Sequence, residues 1–166
     1  MPTSQVLEII AVNALAWFLI QMGFAWLGTR MPIALFDHAC GYFREHRFER
    51  SGRMYEGIFR IRSWKDLLPD GSRLFKGGFR KGRLAASDTA YLVTFVRETR
   101  RGEAVHVVVI LSSAFFFLWN PPGIAVWMVV YALVSNLPCI LAQRYNRIRM
   151  ARVLRRRGYS GQGGGS

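Results

Sequence analysis

The 166-residue sequence has few cysteines and few acidic residues. Its two cysteines, Cys40 and Cys139, show no metal-binding Cys/His spacing, so neither a disulfide framework nor a metal site is expected. It also lacks a Gly-x-Ser-x-Gly nucleophile motif, a His-x-x-x-x-Asp pattern, a Walker loop and a dinucleotide fingerprint. Enzymes that depend on those motifs are therefore excluded.

Charged residues are nearly absent from three runs, at about residues 9–27, 104–120 and 123–142. The first and third are long enough for a bilayer span of ~20 residues, and the second reaches that length with its flanks. The chain is 51% hydrophobic, which is too apolar for a small soluble domain that carries 20% charge. We therefore predict an all-α integral membrane protein with three transmembrane helices, of which the first is retained because no basic segment precedes it.

The basic residues lie on one predicted side of the membrane. Residues 28–103 hold sixteen of the 23 Lys and Arg, and residues 143–157 hold the other seven. The positive-inside rule places both regions in the cytoplasm and the N-terminus outside. This topology accounts for the net charge of +13, so we expect contact with anionic membrane lipids and not with nucleic acid.

The predicted organisation is a single membrane domain over residues 1–158, with a basic cytoplasmic or interfacial lobe at 28–103. A flexible tail, in part a linker, follows at 159–166. Within the lobe, residues 33–48 mix apolar and basic side chains and predict a helix lying on the inner leaflet. The stretch SDTAYLVTFVRETRRGEAVHVVVIL, residues 87–111, predicts one helix that continues from the lobe into the second span.

Polar residues in the first span and a turn in the lobe lead to two further structural predictions. Asn13 and Gln21 are expected to form hydrogen bonds between helices. The turn at Pro69 to Gly71 and the glycines that follow it either cradle phosphate through backbone amides or rest on the membrane surface.

Two candidate pairs stand at the start of the second span. At ~100° per residue on a helix, Glu103 shares a face with His106, and Glu98 shares a face with Arg101. A carboxylate that holds a histidine in one tautomer makes the imidazole a general base. The alternative is an interfacial histidine that only bonds to a backbone carbonyl, and these residues alone leave both interpretations open.

The segment QRYNRIR follows the third span and places Arg144 and Arg147 on one face. Arginines there either bind the phosphates of a substrate or a lipid, or anchor the helix at the head groups.

Four segments occur in order along the chain: LGTRMP, FERSGRMYEGIFRIRSWK with DG shortly after, ETRRGEAVH, and QRYNRIR. From about Leu27 to Arg149 the sequence resembles the glycosyl-4,4′-diaponeurosporenoate acyltransferase family, small bacterial membrane acyltransferases of carotenoid glycoside biosynthesis. The resemblance implies transfer of a fatty acyl group to a sugar hydroxyl of a glycosylated carotenoid or related glycolipid, at the cytoplasmic membrane. We expect acyl-CoA or a similar acyl thioester as co-substrate and no cofactor, with membrane lipids, the lipid-linked sugar acceptor and the acyl donor as partners.

Positions that match the family imply the candidate site. We assign four to catalysis, with His106 as base and Glu103 as its orienting group, Thr99 as a positioning group for the acceptor, and Glu98. The remaining candidates are assigned to substrate binding: Arg30, Trp64, Lys65, Asp70, Arg101, Gln143, Arg144, Tyr145, Asn146 and Arg147. Three of these arginines, at positions 101, 144 and 147, are expected to hold donor phosphates or the developing oxyanion.

The alternative hypothesis is a non-enzymatic membrane scaffold that binds anionic lipid or a partner enzyme through its basic lobe. It predicts that Glu103 and His106 can be replaced freely, whereas the arginines cannot all be removed.

Overall fold

The computed structural model describes residues 3–38, 41–68 and 89–159. In these residues the chain forms helices and short 3₁₀ turns, with no strand, which confirms the all-α prediction. The α-helices are α1 (Thr3–Arg30), α2 (Arg53–Gly57), α3 (Thr89–Ser112) and α4 (Pro122–Arg156). A 3₁₀ segment, Ser113–Leu118, continues α3 toward α4.

Three helical stretches are long and apolar enough to cross a membrane: Thr3–Arg30, Thr89–Leu118 and Pro122–Arg156. The second confirms that the charged stretch before residue 104 and the apolar run after it form one helix. The suggested cap at Ser87 or Asp88 lies outside the described residues. Pro122 occupies the first turn of α4, where its missing N–H costs no helical hydrogen bond.

The helices α3 and α4 form an antiparallel hairpin, and α1 packs on α3. The approach of α1 to α3 is very close at Gly28, because a Cβ built there would lie 2.6 Å from Cγ2 of Val105. Small residues at such crossings let two helix backbones approach each other within a membrane. Gly28 is therefore a packing requirement of the bundle.

Aromatic stacking and a group of hydrogen bonds join α1 to the connection between α3 and α4, at the end of the bundle that contains the N-terminus of α1. Trp17 stacks on Phe116 with ring centroids 4.8 Å apart. Asn13 and Asn120 exchange two hydrogen bonds of 2.9 Å, and Trp119 Nε1 donates a third, also 2.9 Å, to Asn13 Oδ1. Asn13 thus bonds to the turn that precedes α4 and not, as expected, to another helix, whereas Gln21 is half-buried beside an apolar groove.

The segment between α1 and α3 consists, where described, of α2 and short 3₁₀ turns, so the prediction of one helix over residues 33–48 is wrong. Its first two turns are Ile33–Phe36 and Gly41–Phe43. Arginines on the long helices bind carbonyls of this segment: Arg100 Nη1 donates to Phe36 and Asp37 at 2.6 and 2.8 Å. The guanidinium groups supply hydrogen bonds to these backbone carbonyls. The carbonyls therefore do not need the hydrogen bonds of a continuous helix.

Aromatic packing fixes this segment on α4. Tyr55, Ile61, Tyr145 and Ile148 form a buried cluster in which Trp64 also packs. Gly52 precedes α2 with φ of 89°, a left-handed conformation that glycine adopts without strain. A Cβ there would contact the ring of Tyr145 at 3.6 Å, so the turn also lies close against α4.

Candidate active site

Arg144 on α4 lies at the centre of a buried ion network. Its Nε donates to Glu49 Oε1 at 2.6 Å, and its Nη1 donates to Glu103 Oε1 at 3.1 Å. The same guanidinium donates to the backbone carbonyls of Tyr42 at 3.1 Å and Arg44 at 3.3 Å. One side chain thereby joins α3, α4 and the segment after α1.

Glu103 is fully buried, and arginines engage both of its carboxylate oxygens. Oε2 accepts a hydrogen bond from Arg147 Nη1, while Oε1 accepts from Arg144. The network thus balances two guanidinium groups with two carboxylates, which buried charges require. The rings of Tyr42 and Phe43 lie against the guanidinium groups of Arg144 and Arg147, at 5.3 and 5.5 Å.

Glu49 is held ionised within this network. Burial alone would raise its pKa, but hydrogen bonds from Arg144, the His46 amide and Tyr55 outweigh burial and place the pKa below its ordinary value. Tyr55 Oη donates to Glu49 Oε1 at 2.6 Å. Burial and this carboxylate together raise the pKa of Tyr55, so its hydroxyl remains a neutral donor.

A second, more exposed cluster surrounds Tyr145. Its hydroxyl donates to Glu56 Oε1 at 2.7 Å and accepts from Arg62 Nε at 3.0 Å. Arg62 Nη2 also donates to Glu56 Oε1 at 2.6 Å. The hydrogen bond from Tyr145, followed by the hydrogen bond and the charge of Arg62, lowers the pKa of Glu56. Tyr145 therefore acts here as a fixed structural group between α4 and the segment around α2.

The Nδ1 atom of His106 bonds across the hairpin to a residue of α4. Its partner there is not Glu103. Nδ1 lies 2.8 Å from Asn136 Oδ1. The amide nitrogen of Asn136 donates to Ala132 O and Ser135 Oγ, both at 3.0 Å, so Oδ1 is the atom that faces the imidazole as an acceptor. Nδ1 is then the donor in this hydrogen bond, and in the neutral imidazole Nε2 has the lone pair that a general base needs.

Asn136 is the described group that fixes the ring of His106 through Nδ1, and the expected orientation of His106 by Glu103 stays a prediction. The three-residue spacing on α3 permits a Glu–His contact. Charge-assisted bonds from Arg144 and Arg147 engage both oxygens of Glu103. Asn136 is almost fully buried, and the imidazole is half-buried.

The other residues predicted on α3 lie close to this site. Glu98 and Arg101 form the expected pair, with Oε2 and Nη2 2.7 Å apart. Thr99 is wholly buried, and its hydroxyl donates to Val96 O at 2.7 Å, within the same helix. A hydroxyl in that position is a structural group, so we do not retain its expected role in positioning an acceptor.

The remaining predicted positions are spread along the chain. Arg30 ends α1 and lies over the ring of Trp26 at 5.3 Å. Trp64 Nε1 donates to Phe59 O at 2.8 Å, and Lys65 forms an ion pair with Asp66. Gln143 and Asn146 are half-buried on α4 beside the network. Asp70 and Cys40 lie outside the described residues.

Sequence reasoning did not find four residues that complete the site: Tyr42, Glu49, Tyr55 and Asn136. The first three belong to a segment without helical periodicity. Asn136 lies in an apolar run, and a polar residue at membrane depth was the one signal that pointed to it. Among residues 3–38, 41–68 and 89–159 there is no cluster of three or more His, Cys, Asp or Glu that would hold a metal ion.

An apolar groove of about 750 Å³ lies between α1 and the first half of α4. Ile10, Ala14 and Trp17 line it from α1, and Ile124 and Tyr131 line it from α4. With a rise of ~1.5 Å per residue, Tyr131 stands about 8 Å along α4 from Asn136. The groove therefore ends close to the level of His106.

These features define a membrane protein of three long helices, with a histidine and a buried arginine network between the two helices of its hairpin. A family model described as glycosyl-4,4′-diaponeurosporenoate acyltransferase matches residues 40–156, a range that contains His106, Asn136 and the network. The chain belongs to this family, and it is an acyltransferase.

Curated relatives with that same name come from Staphylococcus aureus. The protein of strain USA300 is 32% identical over 145 residues, covering 86% of this chain and 87% of the relative. The protein of strain Newman is 32% identical over 139 residues, covering 84% of each chain. No solved structure matches the chain.

Proposed function

We propose that this acyltransferase moves a fatty acyl group from an acyl thioester to a sugar hydroxyl of a glycosylated carotenoid or a related glycolipid. The observation that carries the proposal is the His106–Asn136 pair, because it prepares an imidazole with a basic Nε2 inside a membrane-spanning hairpin. The name shared by the relatives supports the acceptor class.

The chemistry is direct acyl transfer. His106 Nε2 takes the proton as the sugar O–H bond breaks, and the oxygen attacks the carbonyl carbon of the thioester. The carbon–sulfur bond then breaks, and the thiolate leaves with the proton from the imidazolium. The products are a sugar ester and a free thiol, and His106 returns to its starting state.

The groove between α1 and α4 supports an acceptor with a long apolar part. With its apolar chain in the groove, an acceptor would have its polar end near Tyr131, about 8 Å along α4 from Asn136. The buried network lies on the other side of Asn136, since Arg144 is about 12 Å further along α4. Acceptor and donor would thus approach His106 from opposite directions along the hairpin.

The orientation in the membrane is part of the same proposal. We place the N-terminus outside and residues 28–103 and the C-terminus in the bacterial cytoplasm, because all 23 Lys and Arg lie in or beside those regions. A soluble acyl thioester would then reach the arginine-rich end of the hairpin directly.

The test is turnover by the purified full-length protein in liposomes, supplied with acyl-CoA and a glucosyl ester of a carotenoid acid. Mass spectrometry should find the acylated glycoside, and a thiol assay should find one free thiol per product molecule. The matched aglycone, which has no sugar hydroxyl, should remain unmodified. If neither acceptor is acylated and only bulk anionic phospholipid copurifies, the proposal is wrong and a scaffold role is favoured.

A further inference from the structure

A small arginine-lined cleft lies beside the buried network, between α3, α4 and residues 43–45. Its volume is about 180 Å³. The described residues on its walls include four arginines and one glutamate: Arg44, Arg100, Arg147, Arg155 and Glu45. Its other lining residues are apolar: Phe43, Val96, Ile148 and Ala151.

The side chains that line the cleft carry more positive than negative charge. Glu45 pairs with Arg155 at 3.1 Å, and Glu103 below the cleft is shared between Arg147 and Arg144. Arg100 Nη1 donates to the carbonyl oxygens of Phe36 and Asp37, which orients its guanidinium. Asp37 forms its ion pair with Arg97, at 2.8 Å.

We propose that this cleft binds a phosphate or diphosphate group. The planar guanidinium fork matches phosphate oxygens, and apolar lining residues strengthen the attraction by lowering the local dielectric constant. The volume of the cleft gives room for a small anionic group. A single carboxylate would neutralise less of the charge.

The proposal changes which arginines hold the donor. Both oxygens of Glu103 and the carboxylate of Glu49 already occupy Arg144 and Arg147, so those two side chains mainly hold the hairpin together. Arg44 and Arg155 are exposed at the cleft and are better placed to meet an anion from outside. Assigning the phosphate to an acyl donor such as coenzyme A rests on the proposed function, whereas phosphate binding itself does not. The other source of the same chemistry is an anionic lipid head group.

The test measures binding of pyrophosphate and coenzyme A to the full-length protein in nanodiscs of phosphatidylcholine, by calorimetry. The double variant Arg44→Gln/Arg155→Gln should bind at least about tenfold more weakly, because two charge-assisted contacts are lost. The matched control, Arg53→Gln/Arg156→Gln, removes one exposed arginine from the segment around α2 and one from α4 and should change affinity by less than about twofold. A third variant, Arg44→Lys/Arg155→Lys, keeps the charge and should retain part of the affinity.

The outcomes distinguish a soluble acyl donor from an anionic lipid head group as the source of the bound phosphate. Cleft-dependent binding of pyrophosphate and coenzyme A supports the soluble donor. Cleft-dependent retention of phosphatidylglycerol in mixed nanodiscs, without coenzyme A binding, supports a lipid head group. The proposal is overturned if the test and control double variants lose affinity equally. It is also overturned if neither ligand binding nor lipid retention depends on the arginines of the cleft. Binding to the cleft without any acyl transfer would leave the phosphate site standing and refute the proposed reaction instead.

Discussion

Arg144 and Glu49 form a buried ion pair with two contacts, Nε to Oε1 at 2.6 Å and Nη2 to Oε2 at 3.4 Å. The pair joins the polar half of α4 to the segment between α1 and α3. Since Glu49 is fully buried and Arg144 nearly so, removal of either charge would unbalance the buried network of two arginines and two carboxylates.

The first prediction concerns stability and pH. Because the folded-state pKa of Glu49 lies below its ordinary value of 4.5, the stability it contributes is present above that value and is lost as the pH falls through the folded-state pKa. Glu49→Gln should therefore lower the free energy of unfolding at neutral pH by about 3–5 kcal/mol. It should also weaken the loss of stability below pH 4.5.

Thermal unfolding in detergent across this pH range is the measurement. The control is Asp66→Asn, whose exposed carboxylate pairs with Lys65 and should contribute about 1 kcal/mol or less. Equal effects of the two substitutions would show that the Arg144–Glu49 pair does not stabilise the fold.

The second prediction concerns the contact between α1 and α3. Gly28→Ala should destabilise the bundle by about 1–3 kcal/mol, because the added methyl group would overlap Val105. Gly23→Ala is the matched control, since a Cβ at Gly23 meets nothing within 4 Å. Unfolding midpoints should rise again in Gly28→Ala/Val105→Ala. No recovery in that double variant would contradict the proposed steric cause.

The third prediction concerns Asn136 as a positioning residue. Asn136→Ala removes the acceptor for Nδ1–H of His106 and should lower kcat at least about tenfold, with little change in KM. Asn136→Asp keeps an acceptor oxygen at that point and should restore part of kcat. Steady-state kinetics on folded protein decide between a positioning and a purely structural role. If Asn136 contributes only to packing, kcat should fall in proportion to the loss of stability in both variants. Asn136→Asp should then not restore kcat.

The fourth prediction concerns the groove. Ala14→Trp fills it from α1 and should raise KM for an acceptor with a long apolar part by roughly tenfold, while KM for the acyl donor stays unchanged. Ala11→Trp is the matched control, because Ala11 is exposed on α1 and does not line the groove. Equal acceptor KM values for the two variants would show that the acceptor does not use the groove.

The long helices could be predicted from the sequence because apolar runs and helical continuity are local properties. The Glu98–Arg101 pair was predictable for the same reason, since its partners lie three residues apart on one helix. Lobe residues such as Asp70 lie outside the described residues, so their expected roles stay predictions.

The partners of Glu103 and His106 could not be predicted from spacing on α3. Each has its closest described partners on α4, and the competition between a nearby histidine and two distant arginines depends on how the hairpin packs. Glu49 was also missed, because its contact with Arg144 spans 95 positions and no local pattern marks it.

The most direct test of the central claim compares His106→Ala with the wild-type protein in liposomes that contain acyl-CoA and a glycosylated carotenoid acid. Removal of a general base should lower the rate of sugar-ester formation by about 10²–10⁴-fold, while the unfolding midpoint stays close to that of the wild type. Full activity in a folded His106→Ala protein would contradict the account.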